Sequence, residues 1–185
     1  ELFDKSIRTL ELPAILKMLA DQTNSAEARE KALALVPQTE REDVEQLQDE
    51  TDAAREMIGL RGSPAFSGIK PVGESLYRAD RGGALNTREL LDIAGVLRCA
   101  RRVKDYFNDN GEKSAIDHLF YALRGNRFLE EKIFTSILEE DVIADNASPE
   151  LADIRRHIRV AASKGRQILQ KIISSQSYSK VLQEA

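Results

Sequence analysis

The sequence predicts an all-α protein, with a multi-helix core followed by one long C-terminal arm helix. Apolar residues recur at helical spacing in almost every segment, and helix caps stand at several segment starts. Aromatic residues make up only 5% of the chain and Trp is absent, which favours a core of Leu, Ile and Ala. Strand-favouring residues are confined to short stretches near Leu10 and Val142, so we expect negligible β-structure.

The first forty residues predict a short extended stretch and two helices. Residues 9–12 (Thr-Leu-Glu-Leu) form the extended stretch, and Pro13 then opens the first helix, because a proline at the first helical position loses no hydrogen bond. Ser25 is the N-cap of the second helix, which Pro37 stops.

A third helix follows with an acidic outer face. Thr39 and Glu42 have the spacing of a capping box at its start, and Gly59 is predicted to end it. Residues 60–73 contain three glycines besides Pro64 and Pro71, which indicates a long irregular segment.

For the second half of the core, the sequence predicts a short helix that stops at Gly82 and then three further helices. Asn86 and Glu89 begin the best-marked internal helix, which Gly111 closes. Residues 114–124 and 128–138 carry apolar residues at helical spacing, and residues 141–147 suit a small hairpin or loop.

The arm helix has the clearest start in the chain, with Ser148 as N-cap and Pro149 at the first helical position. It spans roughly 38 Å to Ile173. Its apolar residues alternate steps of three and four, which is a heptad seam. That seam consists of Leu151, Ile154, Ile158, Ala161, Gly165, Ile168 and Ile172. We therefore divide the chain into a helical core domain, residues 1–147, and the arm, residues 148–185.

Charge is spread unevenly along the chain. The formal net charge is −4, yet residues 149–180 carry seven basic and two acidic side chains, so that segment is +5 and the remainder −9. A local basic segment of this kind fits a polyanion contact, and a solvated helix face is the alternative. The candidates for phosphate contact are Arg155, Arg156, Arg159, Lys164 and Arg166.

The residues offer no pattern for catalysis or cofactor binding. The chain has no phosphate-binding loop motif, and neither His118 nor His157 has a ligand partner at metal-binding spacing. The single Cys99 excludes an internal disulfide and fits a reducing cytoplasm, and we expect this thiol to be buried and inert. No apolar run is long enough to cross a membrane, so we expect a cytoplasmic, non-enzymatic chain without cofactors.

Five short stretches in order resemble one known family. They are Thr9-Leu10-Glu11-Leu12, Glu50-Thr51-Asp52-Ala53-Ala54-Arg55, Arg78-Ala79 with Arg81-Gly82-Gly83 and Leu85, Leu90-Leu91-Asp92-Ile93, and Asp145-Asn146-Ala147-Ser148-Pro149-Glu150-Leu151 with Ile154-Arg155. Together they cover nearly the whole chain and are similar to the N-terminal region of the bacterial MutS type-two proteins.

The resemblance implies that this chain is a fragment of a larger multidomain protein. In such proteins this region is similar to the core and lever of MutS, which long helices join to a clamp, and residues 179–185 resemble the start of that connection. An ATPase that uses ATP and Mg²⁺ follows, often with a nuclease domain, and neither is in this chain. Family members are linked to recombination suppression, branched-DNA binding and rescue of collided ribosomes.

Two functions remain open from the sequence. The first is a non-catalytic core and lever segment that couples the missing ATPase to a clamp on DNA or on ribosomal RNA. The second is a stand-alone helical module for dimerisation or protein interaction. In either case we expect a homodimer through the arm, because burying the seam of one copy against another removes apolar surface from water.

Overall fold

The computed structural model describes residues 2–107, 113–175 and 178. The chain divides into two compact units, Glu1–Phe134 and Thr135–Ala185. Within the described residues, nine α-helices and a two-stranded sheet are present, and 69% of the chain is helical, which confirms the all-α prediction. The elements are α1 Leu2–Thr9, α2 Leu12–Ala20, α3 Ala26–Leu33, α4 Arg41–Arg61, α5 Gly73–Asp80, α6 Thr87–Tyr106, α7 Asp117–Ala122, α8 Arg127–Ser136, β1 Ile137–Glu139, β2 Val142–Ile143, a 3₁₀ turn Asp145–Ala147, and α9 Pro149–Ser174.

The core of the first unit is built on α6. Cys99 and Val103 of α6 are buried against Ile116 and Phe120, and the Phe120 ring stacks on Phe107 with centroids 4.6 Å apart. Parts of α4 and of the loop before α5 cover this cluster. The buried members of this cluster are Cys, Val, Ile and Phe, so it differs from the core of Leu, Ile and Ala that the composition favoured.

A buried ion cluster joins α8 to α6. The Glu130 side chain is only 4% exposed, and it accepts hydrogen bonds from Arg98 and Arg101 at 2.9–3.1 Å. The Arg98 guanidinium also lies 3.7 Å from the centroid of the Phe134 ring. Hydrogen bonds from Arg101, and then from Arg98, lower the pKa of Glu130 to about 2, against its desolvation.

The start of α6 predicted at Asn86 and Glu89 is confirmed, and these two residues form a capping box. Asn86 accepts from the Glu89 backbone N–H at 2.9 Å, and the Glu89 carboxylate accepts from the Asn86 backbone N–H at the same distance. Arg78 and Ser75 of α5 bind the same carboxylate, so this cap also ties α5 to α6.

The prediction of an extended stretch at residues 9–12 is wrong. Thr9 ends α1 and Leu12 begins α2, and Glu11 between them adopts φ 54°, the left-handed region. The chain therefore reverses between two helices within two residues, and Leu10 still donates to the Ser6 carbonyl in a helical turn. One residue with a positive φ, Glu11, therefore separates two helices in a stretch where an extended segment was predicted.

Both predicted ends of α4 are displaced. The helix begins after Glu40, which caps no backbone N–H with its side chain, so the capping box of Thr39 and Glu42 is absent. The helix also continues past Gly59, where an added Cβ meets nothing within 4 Å, and it ends before Gly62 at φ 75°. A glycine inside a helix, such as Gly59, destabilises the helix by only about 1 kcal/mol. The helix ends at Gly62 because the chain turns there through a positive φ, which glycine adopts readily.

Helices α7 and α8 are shorter than predicted. Within residues 114–124 only Asp117–Ala122 is helical, and the helix predicted for 128–138 ends at Ser136. The last two residues predicted for that helix belong to β1, which pairs antiparallel with β2 in a hairpin. This hairpin begins four residues before the hairpin or loop predicted at 141–147. Gly111 and residues 179–185 lie outside the described part of the chain.

Candidate functional site

The base of α9, in the second unit, is fixed first by its N-cap. Ser148 adopts an extended backbone, and its hydroxyl accepts from the Leu151 N–H at 3.1 Å, as predicted. Pro149 occupies the first turn, and Glu150 places negative charge at the positive end of the helix dipole. From this start the helix runs for 26 residues, about 39 Å.

One carboxylate then braces α9 against the segment before it. Asp145 accepts from Arg155 at 2.6 Å and from Arg159 at 2.8 Å, so it holds two arginines one helical turn apart. Arg155 also donates to the Ile143 carbonyl at 2.8 Å, which ties β2 to the helix. Hydrogen bonds from Arg155, and then from Arg159, lower the pKa of Asp145.

Asp145 is the residue of this site that was not predicted from the sequence. Arg155 and Arg159 were candidates for phosphate contact, and the structure gives both of them a carboxylate partner. A signal was available, because Asp145 and Arg155 both lie in the stretch that carries the family resemblance. That stretch is physically one unit, consisting of a brace, a cap and the first turns of a helix.

The other phosphate candidates fall into two groups. Arg156 binds Asp153 within the same helix, as does His157 at 3.1 Å. Lys164 and Arg166 are exposed and have no ion-pair partner among the residues that the structure describes. The positive charge still open to an anion therefore lies in the distal half of α9.

The predicted seam is uncovered. Ile154, Ile158 and Ile168 are 56–61% exposed, and Ile172 is 38% exposed. Leu151 is half-buried, Ala161 and Gly165 are exposed, and α9 has no buried residue. Because successive residues turn by about 100°, the seam occupies a stripe of about 100° along one face. Leu169 and Ile173, both exposed, lie at one edge of that stripe.

Basic residues flank the stripe on both sides. By the same helical geometry, Arg155, Arg159 and Arg166 follow one edge. His157, Lys164 and Lys171 follow the other edge at a spacing of seven. Between Ile154 and Ser174 the sequence contains no carboxylate. The arm is thus an apolar stripe with basic borders.

The other titratable groups considered from the sequence, Cys99 and His118, lie in the first unit. Cys99 is buried, its thiol lies 3.6 Å from the Ala65 carbonyl oxygen, and burial raises its pKa, so it is a poor nucleophile. His118 is exposed, with its Nε2 4.0 Å from a Glu50 oxygen. A hollow of about 350 Å³ near Met57 is lined by apolar side chains and Tyr106.

Neither a metal site nor a membrane span is present in what the structure describes. Across residues 2–107, 113–175 and 178, no three His, Cys, Asp or Glu side chains cluster as a metal would require. Within the same ranges, no helix has both the length and the apolar character needed to cross a bilayer.

Fold and site together define an all-α protein that carries a braced amphipathic arm helix. The MutS2 endonuclease of Ruminiclostridium cellulolyticum is 44% identical over 185 residues, which cover 98% of this chain and 23% of the relative. That of Acetivibrio thermocellus is 40% identical with the same coverage, and that of Lachnoclostridium phytofermentans is 35% identical over 190 residues, 24% of its length. No protein-family model matches the chain.

The resemblance to the N-terminal region of the MutS type-two proteins is therefore confirmed, and it covers 98% of this chain. The matches lie in the N-terminal part of these relatives. The chain spans about a quarter of the length of the curated relatives that it matches.

Proposed function

We propose that this chain is the non-catalytic core and lever segment of a MutS2-type protein of the cytoplasm. It couples an ATPase elsewhere in the longer protein to a clamp that binds DNA or ribosomes, in recombination suppression or ribosome rescue. The observation that supports this proposal is the braced base of α9. A helix that transmits movement needs a stiff attachment, and Asp145 supplies one by holding Arg155 and Arg159 together.

The exposed stripe of α9 supports the same proposal. Burial of a Leu or Ile side chain stabilises by about 1.5–3 kcal/mol, and α9 leaves four isoleucines of its seam open. A stripe of that length exceeds what soluble proteins usually leave bare. In the longer protein it packs on a helix that returns from the clamp.

ATP and Mg²⁺ belong, in this proposal, to the part of the longer protein outside this chain. The isolated chain is therefore expected neither to hydrolyse ATP nor to cut nucleic acid. Turnover above a buffer blank, retained through a second purification step, contradicts that expectation.

A chimera tests the coupling. This chain replaces the matching N-terminal quarter of the Ruminiclostridium cellulolyticum MutS2 endonuclease, and the affinity for branched DNA and for ribosomes is measured with and without ATP. We expect the chimera to hydrolyse ATP and to change affinity with nucleotide. Asp145→Ala in the chimera should keep ATP hydrolysis and lose most of the nucleotide effect, because the base of the lever is no longer held.

Asp153→Ala is the matched control. This carboxylate is also on the surface and also binds a basic pair, Arg156 and His157, but both partners are on α9 itself. The control should keep the nucleotide effect. A chimera that binds equally well with and without ATP, or an Asp145→Ala variant that couples normally, overturns the proposal.

The second candidate function is a stand-alone helical module that dimerises through α9. The heptad spacing of the exposed seam favours it, because a second copy offers the same apolar stripe. We expect a homodimer in solution that is lost when Ile158 and Ile168 are both changed to Asp. Val160→Asp is the control, since Val160 is 47% exposed on the face away from the seam. A monomer by light scattering at micromolar concentration excludes this candidate.

A further inference from the structure

Residues 62–72, which we call the strap, join α4 to α5 and lie across α6. The Tyr106 hydroxyl donates to the Gly62 carbonyl oxygen at 2.7 Å. The Cys99 thiol lies 3.6 Å from the Ala65 carbonyl oxygen. Because Cys99 and Tyr106 are seven positions apart, they share one face of α6, and the strap lies along that face.

The strap also meets α6 where two glycines face each other. A Cβ added to Gly95 would lie 3.1 Å from the Gly68 carbonyl oxygen, and Gly68 itself has φ 85°. A glycine inside a helix is destabilising, yet α6 carries one at this position. The strap explains it, because a larger residue at position 95 would press on the Gly68 carbonyl.

The strap is held firmly at its α4 end and weakly further along. At the α4 end, the Arg61 guanidinium donates to the Tyr106 carbonyl oxygen at 3.2 Å, and the Tyr106 hydroxyl binds the strap. Further along, the Ala65 carbonyl meets a thiol, which is a weak donor. The Gly68 carbonyl faces a Cα–H of Gly95, which is weaker than an N–H donor. The strap should therefore release from its middle before it releases from α4.

Packing beneath the strap is incomplete. Phe66 of the strap is 41% exposed and lines two hollows, of about 350 Å³ and about 180 Å³. A side chain beside a void lacks contact partners on that side, so closure of the strap gains less dispersion energy than a filled core would give. Few buried contacts and weak hydrogen bonds are typical of a segment that opens while the rest of a protein stays folded.

We propose that the strap is a lid on the first unit. It opens from α6 while the rest of that unit stays folded, it pivots at Gly62, and it uncovers Cys99 together with both hollows. Gly62 is suited to be the pivot, because it already has φ 75° and lies beside the firmly held end. The inference is independent of the proposed coupling to an ATPase and of the dimerisation candidate, since both of those depend on α9.

The Cys99 thiol reports the opening, because it is the single cysteine of the chain and is 4% exposed in the closed state. Its reaction with N-ethylmaleimide is followed by mass spectrometry at urea concentrations below the unfolding transition. Opening of a lid exposes little surface, so we expect a labelling rate that hardly changes with urea in this range. A rate that rises with the full slope of global unfolding contradicts the lid.

An alanine at position 95 should hold the lid open. Gly95→Ala should raise the labelling rate without urea about tenfold, because its methyl group overpacks the contact with the Gly68 carbonyl. Gly59→Ala is the matched control, since it is also inside a helix and its added Cβ meets nothing within 4 Å. The control should change the rate by less than about twofold. If labelling required global unfolding, the stronger helix in Gly59→Ala would slow it several-fold, and that result overturns the proposal.

Gly68→Ala acts on the strap itself and provides a second test if Gly95→Ala does not fold. At φ 85° an alanine is strained, so the closed strap is destabilised and the labelling rate should rise about fivefold or more. Gly82→Ala is the matched control, because Gly82 has φ 81°, lies outside the strap and has open space around its added Cβ. An equal rise in both variants shows that strain anywhere exposes the thiol, and it overturns the lid.

Amide hydrogen exchange distinguishes opening of the strap from unfolding of α6. The amides of α6 around Cys99 should exchange at the same rate in Gly68→Ala as in the unsubstituted chain, although the thiol of the variant reacts faster. Exchange in α6 that rises together with the labelling rate overturns the proposal. So does a labelling rate that stays unchanged in every strap variant that folds.

Discussion

Helices α6 and α9 carry the same signals in the sequence and lie in opposite environments. Each is at least 20 residues long, and each begins with a side-chain cap, from Asn86 in α6 and from Ser148 in α9. Yet α6 buries Ile93, Ala94, Cys99 and Val103, and α9 buries no residue at all. Caps and periodicity thus determine that a helix forms, and they do not determine what covers it.

The carboxylate partners of the arginines on the two helices also differ in burial. On α6, Arg98 and Arg101 meet Glu130, which is buried and belongs to another helix. On α9, Arg155 and Arg159 meet Asp145, whose side chain is 51% exposed. The first cluster holds a core together, and the second holds the base of a helix whose remaining surface is open. Four predictions follow from this contrast, in order of expected effect.

Removal of the buried carboxylate should have the largest effect. Glu130→Ala leaves two arginines without their shared partner and should lower the free energy of unfolding by about 3 kcal/mol, measured by urea denaturation. The neighbouring Glu131→Ala is the control, because Glu131 makes an exposed ion pair with Arg127. An equal loss in both variants contradicts the role given to the Glu130 cluster.

Low pH should lower the free energy of unfolding through protonation of the same carboxylate, Glu130. The pKa of Glu130 is lowered to about 2 from its usual value of 4.5, so the unfolded chain binds a proton at higher pH than the folded one. The Glu130 contribution to stability is therefore fully present above about pH 4.5 and is lost as the pH falls towards 2. In Glu130→Gln that part of the pH dependence should disappear from a series of urea titrations. A variant that keeps the same slope between pH 4.5 and 2 rules out this assignment.

The two N-caps should report different kinds of unfolding. Asn86→Ala and Ser148→Ala each remove a helix cap, at a cost of about 1 kcal/mol. The loss at Asn86 should appear in global unfolding, because α6 carries the core. The loss at Ser148 should appear as faster hydrogen exchange in the first turns of α9, with the global midpoint unchanged. A global shift from Ser148→Ala shows that α9 stabilises more than itself.

The smallest expected effect is on the salt dependence of nucleic-acid binding. Four or five phosphate contacts on α9 predict a slope near −4 in a plot of log affinity against log salt for duplex DNA. Because Arg155, Arg156 and Arg159 already bind carboxylates, we expect a slope near −2, carried by Lys164 and Arg166. Fluorescence anisotropy from 50 to 200 mM salt measures it. A slope of −4 or steeper indicates that DNA displaces the carboxylate partners.

Local sequence signals were reliable where a single helix could satisfy them. The caps at Ser25, Asn86 and Ser148 are as predicted, because each hydroxyl or amide binds a backbone N–H three residues away. They failed at residues 9–12, which were predicted to be extended. The sequence does not show that Glu11 adopts a positive φ and reverses the chain between two helices.

The position of α9 within the sequence, its N-cap, its heptad seam and its basic borders were all determined by the sequence, since they depend on neighbours within four residues and on a fixed helical period. Only the tertiary structure paired Asp145 with Arg155 and Arg159, and Glu130 with Arg98 and Arg101. Those partners are 10–32 positions apart, and no local period relates them. A carboxylate's partner depends on which charges the fold brings within about 3 Å of it, and composition and spacing alone do not specify that distance.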